Sequence, residues 1–433
     1  MKKTLILSIV FLVIIISIIQ LGCSEEKEEQ LPNIVFIMAD DLGTEVLGCY
    51  GGTTYSTPNI DALAENGLKF TQCYSAPACS PSRVKLLSGR YGFRTGQVWG
   101  HIPPEEITFG HILKEAGYKL ALAGKWQMTL LKEDPSHVKK MGFDESSVFG
   151  WHEGSRYYEP FIYENGKVRD DVKDKYGPDV FSDFLIDFMK RNKNNHFFAY
   201  YPMSLPHDIS DDLQTPPPFG KKGRYETYKE NVEYADKLVG KIIKALNDLN
   251  LREKTLIIFT GDNGTPSKYI TKFENGKYIR EPVYSAIGDS LIQGGKTLLT
   301  DGGTHVPLIA NWKSVTPVGE TNNDLIDFSD FLPTFAELGK AKLPDDRILD
   351  SRSFAPQIFG EKGKPRNWVY QEWKGKGWIR TKEWKLYNNG NLFNIKNDPL
   401  EKRALDVEND TEKSSNIRGY LTKEINKLKG SAE

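Results

Sequence analysis

Asn33-Ile34-Val35-Phe36-Ile37-Met38-Ala39 is an unbroken apolar run rich in β-branched residues, and it stops abruptly at Asp40-Asp41. A half-exposed strand alternates apolar and polar residues. A run with no polar residue from Ile34 to Ala39 reads as a strand buried on both faces, which implies a largely parallel sheet covered by helices. Thr255 to Thr260 (TLIIFT) repeats the pattern and ends in Gly261-Asp262-Asn263-Gly264. Lys119 to Ala123 reads as a strand ending at Gly124-Lys125, and His196 to Tyr201 as one running into a Pro-rich loop that holds His207. Val306 to Trp312 is a further strand candidate. Helical patterns fall between them. One opens at Thr57-Pro58 and stops at Gly67, and another starts near Pro81; others cover Phe109 to Glu115, Pro178 to Lys190, Tyr228 to Leu249 and Asp327 to Leu338. This alternation predicts an α/β fold, a large mainly parallel sheet flanked by helices. The polar clusters lie just beyond the carboxyl ends of the strands, the edge at which open α/β sheets bind ligands.

The texture changes towards both ends. After about Leu343, short strands are expected at Trp378 to Arg380, Lys385 to Tyr387 and Leu392 to Ile395, followed by a charged helix from about Thr411 to Lys429 with Gly430 as its stop. Residues 343–433 therefore read as a small C-terminal α+β subdomain, and 32–342 as the main domain. At the other end, Lys2-Lys3 precedes an apolar stretch from Thr4 to Gln20, then Leu21-Gly22-Cys23 and an acidic tether over 23–31. This is the pattern of a lipoprotein signal, residues 1–22, cleaved before a lipid-bearing Cys23. The expected location is an exported lipoprotein of the periplasm or outer-membrane surface, held to the membrane through that lipid. An uncleaved anchor is the alternative, since the apolar run approaches spanning length, and Gln20 is not the usual aliphatic residue of such a signal.

Composition narrows the function further. The 433 residues are 39% hydrophobic and carry a formal net charge of -1. Cleavage would lower Lys+Arg from 57 to 55 against 58 acidic residues, giving -3. Nothing here has the basic bias of a nucleic-acid partner. With Cys23 taken by lipid, Cys49, Cys73 and Cys79 remain. An odd number in an exported chain leaves at least one thiol outside any disulfide.

Cys79-Ser80-Pro81-Ser82-Arg83, followed by Leu87-Ser88-Gly89-Arg90, resembles the signature of the type I, formylglycine-dependent sulfatases, in the alkaline-phosphatase-like superfamily. Other segments are similar to that family in the same order: Asn33 to Ile37 with Asp40-Asp41-Leu42-Gly43, Gly48-Cys49-Tyr50-Gly51, Thr57 to Asp61, Gly124-Lys125-Trp126, Pro206-His207, Gly261 to Gly264, Lys296 with Asp301-Gly302-Gly303, and Leu392 to Ile395 with Asn397-Asp398-Pro399. The resemblance spans nearly the whole chain after the signal and marks 32–342 as a catalytic sulfatase domain. It implies hydrolysis of a sulfate ester, with Cys79 converted to formylglycine by a formylglycine-generating enzyme that reads the motif in the unfolded chain.

The residue types suit that chemistry. Asp40, Asp41, Asp262 and Asn263 offer three carboxylates and an amide oxygen, a donor set for a hard divalent cation, Ca²⁺ foremost and Mg²⁺ next. Without a cation, three adjacent carboxylates would repel. The resemblance implies modified Cys79 as the remaining metal ligand, Arg83 on its diol, Lys125 and Lys296 on sulfate oxygens, and His207 on the sulfate and leaving oxygen. A hydrated aldehyde carries two hydroxyls: one attacks sulfur, and loss of the other's proton breaks the C–O bond to sulfate. A serine ester would have no such exit.

Two positions depart from the family pattern. Gly124-Lys125-Trp126-Gln127 carries Gln127 where the family usually has histidine. An amide can hydrogen-bond the diol but cannot take up a proton near neutrality. Asp301-Gly302-Gly303-Thr304-His305-Val306-Pro307 replaces a Glu-Gly-Gly-x-Arg-Val-Pro pattern, and the expectation is that the change touches the support of Lys296 or lets His305 stand in for the missing base. His101, His111, His137, His152 and His196 receive no role. Trp99, Trp151, Trp373 and Trp378, read as loop tryptophans, fit a sulfated glycan, since aromatic faces stack on sugars. Two other readings compete: a phosphonate or phosphodiester hydrolase of the same superfamily, and an inactive glycan-binding lipoprotein.

Overall fold

A computed structural model describes residues 31–96, 99–209 and 227–431. The expected signal sequence, the expected lipidation site at Cys23 and the tether up to residue 30 lie outside the described residues.

The first strand, Asn33–Ala39, is buried along its whole length and occupies the middle of an 11-stranded sheet. It pairs in parallel with Phe197–Pro202 on one side and Thr255–Gly261 on the other. Lys119–Gly124 and Glu145–Phe149 extend the parallel set. On the far side of Thr255–Gly261 lies His305–Trp312, antiparallel, and beyond it Leu68–Tyr74, antiparallel in turn. Two reversals return Leu68–Tyr74 to the direction of the central strands. Alternate residues of the first strand face opposite layers. Val35, Ile37 and Ala39 pack into a core that includes Phe181 and Leu185 of the helix Gly177–Arg191 and Val232 and Val239 of the helix Tyr228–Asp248. Phe36 faces the other way, stacked on Tyr200 with centroids 5.0 Å apart and against Phe331 and Phe335 at 5.2 and 5.3 Å.

Boundaries shift where a local hydrogen bond decides them. The helix expected near Pro81 runs Cys79–Ser88, so Cys79 sits in its first turn with Ala78 as the extended cap residue. The helix expected from Asp327 runs Phe331–Leu338; Asp327 accepts from the Ser329 amide at 3.0 Å and caps a short turn before it. Leu68–Tyr74, Val369–Trp373 and two hairpins, Lys268–Pro282 and Tyr284–Gln293, were not anticipated.

The C-terminal region forms a four-stranded antiparallel sheet, Val369–Trp373, Lys376–Arg380, Trp384–Tyr387 and Leu392–Asn394, with the helix Glu412–Gly430. It belongs to the same compact unit, Pro32–Glu433. Trp378 is not a loop residue: it is buried in its strand, and its indole donates to the Leu299 carbonyl at 2.6 Å. Asp301 pairs with Arg380 at 2.8 Å and Lys385 at 3.1 Å. Asp301 therefore fastens the C-terminal sheet, and its ion pairs do not reach Lys296. Cys49, Cys73 and Cys79 are all free thiols.

Candidate active site

The predicted site residues converge on one edge of the sheet because their strands run in parallel and end level. Ala39 pairs with Gly261 and Met38 with Pro202, so Asp40, Asp262 and the chain leading to His207 leave the sheet at the same height. Backbone bonds continue the ladder past the strand ends: Asp262 N to Ala39 O at 3.0 Å, Asp40 N to Leu205 O at 2.9 Å and Lys125 N to Pro202 O at 2.7 Å. Cys79 and Arg83 arrive on the helix that follows Leu68–Tyr74. Lys296 comes from the loop before His305–Trp312, and the amide of its neighbour Thr297 donates to Pro77 O at 2.8 Å. Asp41, Gln127 and Thr297 hold φ of +71°, +51° and +74°. Left-handed backbone in non-glycine residues is uncommon, and it clusters at functional sites.

Three buried carboxylates meet three cations. Lys125 Nζ lies 2.6 Å from Asp40 Oδ2, Lys296 Nζ 2.6 Å from Asp41 Oδ2, and Arg83 donates to Asp262 Oδ2 through Nη2 at 2.8 Å and Nε at 3.1 Å. Arg83 Nη1 also donates to the Lys125 carbonyl at 3.0 Å, tying the helix of Cys79 to the strand end. Burial opposes the Lys296 ammonium, but Asp41, Cys79 and Asp40 outweigh it and its pKa rises. Burial raises the Asp41 carboxyl, with Lys296 opposing and Asp40 adding to the rise. Burial likewise raises the Cys79 thiol, against the pull of Lys125 and Lys296. An unmodified Cys79 held this way is a poor thiolate nucleophile.

The oxygens left over mark a candidate cation site. Asp40 Oδ1 and Asn263 Oδ1 are buried and take no hydrogen bond among the described residues. Ligand atoms of Asp40, Cys79 and Asp262 lie within 4.8 Å of one another, as do those of Asp40, Asp41 and His207. Buried unsatisfied oxygens are costly, and a hard cation satisfies them. The predicted set of Asp40, Asp41, Cys79, Asp262 and Asn263 fits such an ion. His207 is buried, with Nε2 3.6 Å from Asp41 Oδ2 and Nδ1 2.6 Å from the Asp208 carbonyl. Gln127 places Oε1 3.7 Å from Cys79 Sγ.

His305 does not join this group. Its Nε2 meets the Thr71 carbonyl at 2.9 Å and its ring stacks on Tyr74 at 5.1 Å, so it does not stand in for a base at Gln127. A histidine given no role in the sequence reading does support the site. His137 Nδ1 accepts from the Trp126 indole at 3.0 Å, fixing the residue between Lys125 and Gln127. No local pattern marks it, because the contact crosses from a separate short helix, His137–Lys140. Burial lowers its pKa from 6.5 to about 4. The ring is neutral in both folded and unfolded chain above pH 6.5, and protonates first in the unfolded chain below it. Stability is therefore present above pH 6.5 and lost as pH falls towards 4, by at most about 3 kcal/mol. Thermal unfolding from pH 7 to 4.5 is expected to show that loss, and His137→Gln, which can still accept the indole proton, to flatten it.

The chain belongs to the sulfatase family, whose model matches residues 32–341, within the alkaline-phosphatase-like superfamily. It is a sulfuric ester hydrolase. It is 28% identical over 418 residues to N-acetylgalactosamine-6-sulfatase of Canis lupus familiaris, covering 85% of this chain and 76% of the relative. Steryl-sulfatase of Homo sapiens is 28% identical over 429 residues, covering 78% of this chain and 71% of that enzyme. The solved structure of Ps i-CgsB in complex with k-i-k-neocarrahexaose matches with a TM-score of 0.73 and 28% identity over 93% of both chains.

Proposed function

We propose that this enzyme removes sulfate from a sulfated saccharide, using a formylglycine made from Cys79 and one hard divalent cation, Ca²⁺ foremost, held by Asp40, Asp41, Asp262, Asn263 and the modified residue 79. The observation that carries this reading is the pair of unsatisfied buried oxygens, Asp40 Oδ1 and Asn263 Oδ1, just beyond the ends of two adjacent strands, with a carboxylate oxygen of Asp40 within 4.8 Å of the Cys79 sulfur. The saccharide part is supported by relatives whose names or complexes specify sugar sulfates or a carrageenan oligosaccharide.

Formylglycine would supply a nucleophile with a second hydroxyl for release, and the cation would neutralise charge there and on the sulfate. The chain's own groups do the rest. Lys125 and Lys296 bring fixed positive charge to the strand ends, where sulfate oxygens gather. Arg83, locked by Asp262 and the Lys125 carbonyl, holds the first turn of the Cys79 helix against the strand ends. His207 Nε2 faces Asp41 and is the group placed to pass a proton to the leaving oxygen. Gln127 orients the side chain at 79 and cannot act as a base. Gln127→Ala is accordingly expected to lower turnover less than about tenfold, by loss of a hydrogen bond, and His207→Ala by about 10²–10⁴. Pre-steady-state kinetics of both variants check this; a Gln127→Ala defect as deep as that of His207→Ala would give the amide a larger part.

Sulfate release from a panel of sulfated saccharides, measured by ion chromatography, tests the saccharide reading, and turnover of aryl sulfates alone would contradict it. The lipid at Cys23 is part of the same proposal. Cys23→Ala is expected to free active enzyme from the membrane fraction, whereas a variant that stays membrane-bound would favour an uncleaved anchor.

A further inference from the structure

Beside the helix that begins at Cys79 lies a cleft of about 460 Å³, within the size range of small-molecule sites. Ala76 and Pro81, which bracket Cys79 in sequence, form one wall; Phe93, Trp99, Trp373 and Lys374 are among the residues of the others. At 1.5 Å of rise and about 100° of turn per residue, Pro81 stands about 3 Å along the helix axis from Cys79 and about 200° around it, so a glycan chain would pass across the start of the helix to reach both.

We propose that this cleft binds a pyranose unit of an anionic glycan, adjoining the unit whose sulfate is removed at residue 79. The proposal rests on the saccharide reading above. Trp99 is 48% exposed, and among the described residues no other tryptophan is so open. Its ring lies 5.8 Å from that of Trp373, tilted by 58°. Two tryptophans packed for their own burial would cover each other; these leave aromatic surface turned to solvent, the surface on which the apolar face of a sugar stacks.

Packing and hydrogen bonds tie the walls to the Cys79 helix. Trp151 packs under the turn that follows Trp99: a Cβ at Gly100, whose φ is +69°, would come within 2.2 Å of its ring. The Glu372 carboxylate accepts from the Phe93 amide at 3.0 Å, the Tyr370 hydroxyl at 2.8 Å and Lys429 at 3.1 Å, joining the Trp373 strand to the Phe93 segment. Lys85, on the Cys79 helix, donates to the Tyr370 carbonyl at 3.1 Å and to Gln371 Oε1 at 2.9 Å, and pairs with Asp327 at 2.7 Å. The hairpin and the catalytic helix are thus one body.

The same bonds settle the charge. Lys429 offsets Glu372 and Asp327 offsets Lys85. Lys374 forms no ion pair among the described residues and stands at the hairpin turn with φ +51°, followed by Gly375 at +77°. The first central position of such a turn ordinarily takes Asn, Asp or Gly. Lys374 Nζ lies 5.2 Å from the centroid of the Trp373 ring, so the cleft presents the open Trp99 ring with one ammonium group beside it, complementary to a sugar ring bearing a sulfate or carboxylate.

The test uses full-length enzyme, the Trp99→Ala and Trp373→Ala variants and their double, each checked for fold by circular dichroism. Substrates are sulfated hexasaccharides from a galactan, a galactosaminoglycan and a glucosaminoglycan, with 4-methylumbelliferyl sulfate as the small ester. The expected result is that the ratio of kcat/KM for the best hexasaccharide to that for the small ester falls at least tenfold in the double variant, with the loss in KM. Tryptophan fluorescence of the Cys79→Ala protein should be quenched by the same hexasaccharide, and Lys374→Ala should weaken the salt dependence of that binding. A ratio unmoved within twofold, with hexasaccharides still desulfated, overturns the subsite alone. Turnover of the small ester with no saccharide desulfated overturns the saccharide reading and the subsite together.

Discussion

Asp262→Ala is expected to abolish cation binding and all measurable turnover and to lower the stability of the fold. One oxygen of this carboxylate accepts the Asp41 amide at 3.0 Å and the other holds Arg83 through two bonds. Truncation leaves a guanidinium that is 1% exposed with no carboxylate at bonding distance, since Asp40 Oδ1 is 3.8 Å away. Breaking a buried pair from one side typically costs about 3–5 kcal/mol, because the surviving charge stays buried. Asp262→Asn separates the effects. It retains the shape and keeps an acceptor for Arg83 or for the Asp41 amide but not the charge, so it should recover part of the stability while still failing to hold the ion. Elemental analysis, thermal unfolding and turnover on one preparation check all three. Full activity in either variant, with metal retained, would show that Asp262 is structural only.

Cys79→Ala is expected to abolish turnover and leave the fold intact. The side chain lies in the first turn of a helix, where alanine is well tolerated, and the change removes one buried sulfur atom without touching the Arg83 and Lys85 bonds that dock the helix. Cys79→Ser is the sharper probe. A serine hydroxyl beside Lys125 and Lys296 could accept sulfate once, but with no second hydroxyl on the same carbon the ester has no way to break down. At most one equivalent of alcohol should appear, followed by nothing. Sustained turnover by the serine variant would remove the reason for a formylglycine here.

The central strands were legible because a strand buried on both faces is apolar through its middle, as Ile34 to Ala39 and Leu256 to Phe259 are. Their ends were legible too, since Asp40-Asp41 and Asp262-Asn263 cannot extend an apolar run. Leu68–Tyr74 was missed because Lys69, Thr71 and Gln72 break the apolar pattern; its place follows from pairing with His305–Trp312. The two hairpins between Lys268 and Gln293 are largely exposed and carry no periodic core face. At the site, the motif placed Cys79 and Arg83 by themselves, but the partners of each charge did not follow from sequence. Asp262 for Arg83, Asp301 for Arg380 and His137 for Trp126 are contacts that only the fold brings about. Among the tryptophans, side-chain type was no guide: Trp99 is open to solvent, and Trp378, called a loop residue, is core.

The most direct measurement is the mass of the peptide spanning residue 79, taken from enzyme whose turnover has been determined on the same sample. Preparations made with and without a formylglycine-generating enzyme give a graded series. The expected result is that specific activity rises in proportion to the fraction of residue 79 carrying the aldehyde and vanishes when that fraction is zero. Undiminished activity in protein whose residue 79 is entirely cysteine thiol would contradict it.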